Sequence, residues 1–189
     1  MDACSPREDA APNKRARTAI VGLGNPSYGD DGIGPAAAQR VYQLLRDRID
    51  CELLEHAASG FRLAEKLVGY QRALIIDALT DPQTEVGTVR RVEFTESSSF
   101  PLLDFHTAGF HDILTLAQVA GLEVPTVIVM YGITIREPEG FSENMSAELT
   151  VRLPQIAQTI AAEELSTNYE ARATAETPPT TEGREEEKP

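Results

Sequence analysis

The chain has 189 residues, 41% of them hydrophobic and 25% charged, with no Trp. That length and balance suit one domain with a real core, plus tails, and exclude a fibre or a membrane-embedded bundle. A formal net charge of -13 disfavours a partner held by its phosphate backbone, because counterion release needs clustered Lys and Arg.

No apolar run reaches the ~20 residues that span a bilayer, and the opening MDACSPREDAAPNKRAR has no apolar leader segment, so a cytoplasmic location is expected. Residues 1–16 are read as a disordered extension. Residues 166–189, rich in Thr, Glu and Pro, are read as a disordered acidic tail, since that composition buries too little apolar surface to offset ordering. A domain is left over 17–165. Cys4 and Cys51 are far apart with no CxxC pair, which argues against a disulfide framework or zinc ribbon.

Ala19-Ile20-Val21 reads as a short buried strand running into VGLGNPSYGDDGIG, a glycine-rich loop holding Asp30 and Asp31. Gly34-Pro35 opens a helix to about Arg48, with Val41, Leu44 and Leu45 along one face. Cys51 to Leu54 is a second strand, and Phe61 to Val68 follow at helical spacing. Ala73 to Ile76 is apolar enough for the centre of a parallel sheet and ends on Asp77. Thr88 to Phe94 reads as an edge strand, Ala108 to Ala120 as an amphipathic helix closed by Gly121, and Thr126 to Tyr131 as the last buried strand. A final helix spans Ser146 to Leu165, with Ser146 as N-cap, and Pro154 either kinks it or marks its true first turn.

Strands alternating with helices predict an α/β fold: a three-layer αβα sandwich around a twisted, mostly parallel sheet of about five strands. Ligands of such sheets bind outside the carboxyl ends of the strands, where the glycine loop and Asp77 both fall. A dinucleotide fingerprint fails because position 27 is Ser and two aspartates stand where pyrophosphate would sit. A phosphate-binding P-loop fails for want of GK[ST], and HExxH and GxSxG are absent. The carboxylates must then carry any chemistry. His111 lies within the predicted amphipathic helix and reads as a packing residue, whereas His106, in LLDFHTAGF before that helix, can face the crevice. Asp30, Asp31 and Asp77 have a second reading as caps and loop ties. Two carboxylate sources and a loop imidazole form a plausible set for a divalent transition metal such as nickel or zinc, with open positions left over.

GLGNPSYGDDGIG after a strand, LIIDAL after the third strand, FHTAGFHDIL and the late GITIREPEGFSENMSAEL, in this order, resemble the hydrogenase maturation proteases over about Ala19 to Leu165. The resemblance implies an endopeptidase that removes a C-terminal extension from the large-subunit precursor of a nickel-iron hydrogenase after nickel insertion. It implies an αβα fold of the phosphorylase/hydrolase-like kind, with Asp31, Asp77 and His106 as metal ligands and catalytic residues. Nickel, supplied by the substrate, is the implied metal, the precursor the implied partner, and a monomer the expected state. Where many relatives carry an acid followed by GGT, this chain has Glu55-His56-Ala57-Ala58-Ser59-Gly60, which leaves the subclass of hydrogenase open. Three roles are open to Asp30: capping the helix, holding Asp31, or acting on water. Two rival readings stand beside this one. A peptidyl-tRNA hydrolase shares VGLGNP but needs a basic surface and a histidine soon after the loop, and a non-catalytic metallo-chaperone would bind the loaded partner without cutting it.

Overall fold

The computed structural model describes residues 18–55, 61–94, 117–138 and 140–175. The N-terminal extension over 1–16, the His56 loop, the start of the Ala108 helix with His106 and His111, and the end of the acidic tail lie outside the described residues. Five strands form one sheet: β1 (Thr18–Gly22), β2 (Cys51–Leu54), β3 (Arg72–Thr80), β4 (Val89–Phe94) and β5 (Val127–Ile135). Their order is β2-β1-β3-β5-β4, parallel throughout except for β4, which runs antiparallel to β5 at the edge. Strands extend from β1 in both directions, so the first turn of the chain opens at the point where strand order reverses.

Alternation along the strands fills two cores. Ile20, Leu74, Ile76, Val129 and Tyr131 face one side, where they meet α1 (Ile33–Leu45) and α3 (Ala147–Ala175). Ala19, Val21, Ala73, Ile75, Ile128 and Met130 face the other, against α2 (Phe61–Leu67) and the helical turn at Ala117. The central strands are apolar on both faces because helices cover both. The three layers and the mostly parallel sheet are therefore those expected. Gly121, with φ of 80°, closes the turn at Ala117 as a left-handed cap whose amide donates to Gln118 O.

Four details differ from the sequence reading. Strand β3 continues past Asp77 to Thr80 and β5 past Tyr131 to Ile135, because the two strands pair with each other over nine residues, four of them beyond the point where β1 stops. Leu44 is 43% exposed, so α1 packs through Ile33, Ala37, Val41 and Leu45 instead. Pro154 lies inside α3, not in its first turn. The helix also runs ten residues beyond Leu165, to Ala175. Ala, Glu and Arg are strong helix formers, and extending an existing helix needs no new nucleus, which accounts for the added turns.

Helix α3 is bolted to the sheet through a buried ion pair. The Glu164 carboxylate, 0% exposed, accepts hydrogen bonds from the Arg72 guanidinium and from Tyr131 Oη at 3.0 Å. Burial first, and then the adjacent Glu164 charge, push the Tyr131 phenol well above its ordinary pKa, so it stays a neutral donor.

Candidate active site

The site is built on the loop between β1 and α1. After Gly22 the Leu23 amide still donates to Ile76 O at 2.8 Å, extending the β1–β3 ladder by one bond before the chain turns away. Two glycines make the turn possible. Gly24 has φ of 118°, a conformation L side chains rarely adopt, and any Cβ there would meet the Asp31 carbonyl oxygen at 2.0 Å. A Cβ on Gly34 would meet Leu23 O at 2.0 Å and Ile76 O at 2.8 Å, so the start of α1 can press on the strand ends only because it lacks one. Asn25 closes the intervening bend, its Oδ1 accepting from Ser27 N at 3.0 Å.

Asp30 and Asp31 follow in a 3-10 turn, Gly29–Gly32, which lies against β3. Both carboxylates are half-buried. Asp31 Oδ2 accepts the Asn25 amide at 2.6 Å, which fixes the carboxylate across the mouth of the loop. Asp77 stands in β3 opposite Gly132 of β5, one residue beyond the Gly22–Ile76 pair where β1 ends. Its Oδ1 accepts the Ala78 amide at 2.9 Å. Asp77 shares the face of Ala73 and Ile75, and the Leu79 side chain packs against the bare Gly132 opposite it, 3.4 Å from where a Cβ would stand.

The late segment after β5 completes the loop's surroundings. Ser142 N donates to Ser27 O at 3.0 Å and Gly29 N donates to Ser142 O at 2.6 Å, a one-residue bridge between Tyr28 and Ser142. The Tyr28 and Phe141 rings meet edge to face with centroids 6.4 Å apart. Asp30 Oδ1 accepts the Ser146 amide at 2.6 Å. Ser146 is itself the N-cap of α3, its Oγ accepting from Leu149 N at 3.3 Å. The cap role foreseen for Ser146 is thus met. Asp30 binds at the N-terminus of this last helix, not on α1, which immediately follows it. Sequence reasoning missed the tie between residues 27–30 and 142–146, whose only prior signal was the run of Ser and Asn in FSENMS.

Two openings flank the loop. A cavity of about 340 Å³ outside the ends of β1 and β2 is lined by Gly22, Gly24, Pro26, Gln39, Leu54 and Glu55. Glu55 is exposed at its edge, with its carbonyl accepting from Lys66 Nζ at 3.2 Å. A second cavity of about 360 Å³ lies between Tyr28, Arg136 and Phe141. Of the three predicted ligands, Asp31 and Asp77 fall at the same β1–β3 edge. His106 lies outside the described residues, as does His56. Among the described residues no three His, Cys, Asp or Glu groups come together as a metal site. Nor, among these residues, is any helix long and apolar enough to cross a membrane.

The chain is similar to the hydrogenase expression/formation protein HupD of Thiocapsa roseopersicina, 24% identical over 137 residues, and to HoxM of Cupriavidus necator, 27% identical over 128 residues. These matches cover 71% and 66% of this chain, but only 61% and 62% of the relatives, so the chain spans less than two thirds of their length. Its fold is similar to that of the [NiFe] hydrogenase maturation protease HybD from Thermococcus kodakarensis, with a TM-score of 0.56 at 27% identity, covering 79% of this chain and 98% of that one. The hydrogenase maturating endopeptidase HybD of E. coli shares the fold, with a TM-score of 0.56 at 18% identity and coverage of 80% and 93%. The family model for hydrogenase maturation proteases matches residues 36–163, a span that begins after the glycine loop and includes Asp77 and His106. A match over that much of the chain, on this sheet and with this crevice, makes the protein a member of the hydrogenase maturation protease family.

Proposed function

We propose that the chain is an endopeptidase that removes the C-terminal extension of a nickel-iron hydrogenase large-subunit precursor, and that Asp31, Asp77 and His106 ligate nickel that the precursor brings. The observation that carries the reading is that, in a family member, the Gly29–Gly32 turn holding Asp31 lies against β3, which holds Asp77 one residue beyond the end of β1. Two carboxylates and an imidazole balance the charge of a divalent ion and leave positions for the precursor's own donors. The cavity beside Glu55 is the natural seat for the peptide to be cut.

Two versions of the chemistry share this site. In one, the ligands only sense that the precursor is loaded, and recognition gates cleavage. In the other, the metal also polarises the scissile carbonyl or the attacking water. There a carboxylate outside the ligand set, Asp30 or Glu55, takes the water proton; hydroxide adds to the carbonyl carbon, the C–N bond breaks, and the proton goes to the leaving amine. A cytoplasmic monomer acting on a folded precursor is the setting we propose, since such a substrate is available only where the metal has been inserted.

The test is to incubate the protein with nickel-loaded and nickel-free precursor and weigh the products. Loss of the extension from the loaded form alone is expected, and Asp31→Ala, Asp77→Ala and His106→Ala should each abolish it. Normal processing by His106→Ala would overturn the ligand assignment. An unchanged precursor mass in a stable complex would replace the protease by a metallo-chaperone.

A further inference from the structure

We infer that Asp30 is a positioning residue for Asp31, not the group that takes a proton from water. The inference rests on the reading of Asp31 as a ligand and concerns how this chain holds it. At three residues per turn, consecutive side chains of a 3-10 turn diverge by about 120°, so Asp30 and Asp31 cannot serve the same point. Asp31 reaches back into the loop to Asn25 N, whereas Asp30 reaches outward to Ser146 N, each at 2.6 Å.

The Asp30 bond is well matched to its place. The N-terminus of a 29-residue helix favours a negative charge, and Ser146 N–H precedes the amides that the Ser146 hydroxyl caps. Together with Gly29 N to Ser142 O and Ser142 N to Ser27 O, it closes a three-bond clasp between the ligand loop and the segment before α3. The Asp31 carboxylate hangs from that clasp by one peptide unit. Residues 142–146, which supply no ligand, therefore set where Asp31 stands.

Two conservative variants separate positioning from proton transfer. Asp30→Asn keeps the acceptor oxygen in place and removes the basicity. Asp30→Glu keeps the basicity and overshoots the Ser146 amide by one methylene. Each is compared with wild type and with Asp31→Ala for Ni²⁺ affinity, by calorimetry with nickel chloride on the full chain, and for processing of the loaded precursor. Positioning predicts that Asp30→Asn stays within about threefold of wild type in both, while Asp30→Glu and Asp30→Ala lose about tenfold or more in Ni²⁺ affinity, as removal of groups that orient ligands does. Equal inactivity of Asp30→Asn and Asp30→Ala in processing, with Ni²⁺ affinity unchanged, would overturn the inference and make Asp30 the base. So would wild-type affinity in Asp30→Glu. Should Asp31→Ala bind Ni²⁺ and process normally, the underlying ligand assignment fails instead.

Discussion

A Cβ placed on Gly24 would lie 2.0 Å from the carbonyl oxygen of Asp31, so the glycine loop folds back over its own hinge with no room for a side chain. Gly24→Ala combines that collision with a φ of 118°. Strain of this kind costs about 1–3 kcal/mol at a single residue. The fold, with its two cores elsewhere, should survive. Thermal unfolding is expected to shift down by a few degrees, whereas Ni²⁺ binding and precursor processing should be lost.

The buried pair of α3 gives a different signature. Replacing Glu164 by Ala leaves the Arg72 charge and the Tyr131 hydroxyl facing each other without their acceptor. Breaking one partner of a buried pair costs about 3–5 kcal/mol, while exposed pairs contribute about 0–1 kcal/mol. Urea unfolding should therefore show a large loss for Glu164→Ala and almost none for Arg136→Ala, whose partner Glu148 is met at 3.1 Å in the open.

Much of the architecture was legible in the sequence. Ile20, Leu74 and Val129 announce their strands because an apolar run flanked by Gly or Asp has few other uses, and Ser146 announces its helix by its type. The ends of β3 and β5 were not legible, since Asp77 and Gly132 read as strand stops until each is seen to pair with the other. Asp31 and Asp77 stood out in the sequence because carboxylates at strand ends are chemically conspicuous. The Asp30–Ser146 bond was not, because 116 positions separate the two and nothing local marks a partner at that range.

Cys51 supplies a pH test. Burial, with a smaller contribution from the Asp50 charge, raises its thiol from the ordinary 9.0 to about 11. A thiol whose pKa is raised on folding favours the folded state below its unfolded pKa, and that contribution is lost as pH rises from about 9 through 11. Urea midpoints should fall over this window in the wild type and fall less in Cys51→Ala. Peptide mapping after alkylation at pH 8 should show Cys51 reacting far more slowly in the folded chain than after denaturation.

Pro154 stands on the exposed side of α3 and has no amide to donate to Thr150 O. Pro154→Ala restores that donor. A proline in a helix interior costs about 3 kcal/mol relative to Ala, part of which is returned by its stiffening of the unfolded chain. A net gain of about 1 kcal/mol or more in chemical unfolding is expected, with processing unchanged.

Eighteen residues separate Ser146, which grips Asp30, from Glu164, which grips Arg72 and Tyr131. That interval is about five whole helical turns, ~27 Å, so both attachments come to the same angular phase of α3. Removing or adding a single residue between them would rotate one attachment by about 100° against the other, and no side-chain adjustment recovers such an angle. The interval acts as a gauge in which only the number of turns, and not their composition, is fixed: the surface positions between the two grips are free to vary, while their count is not.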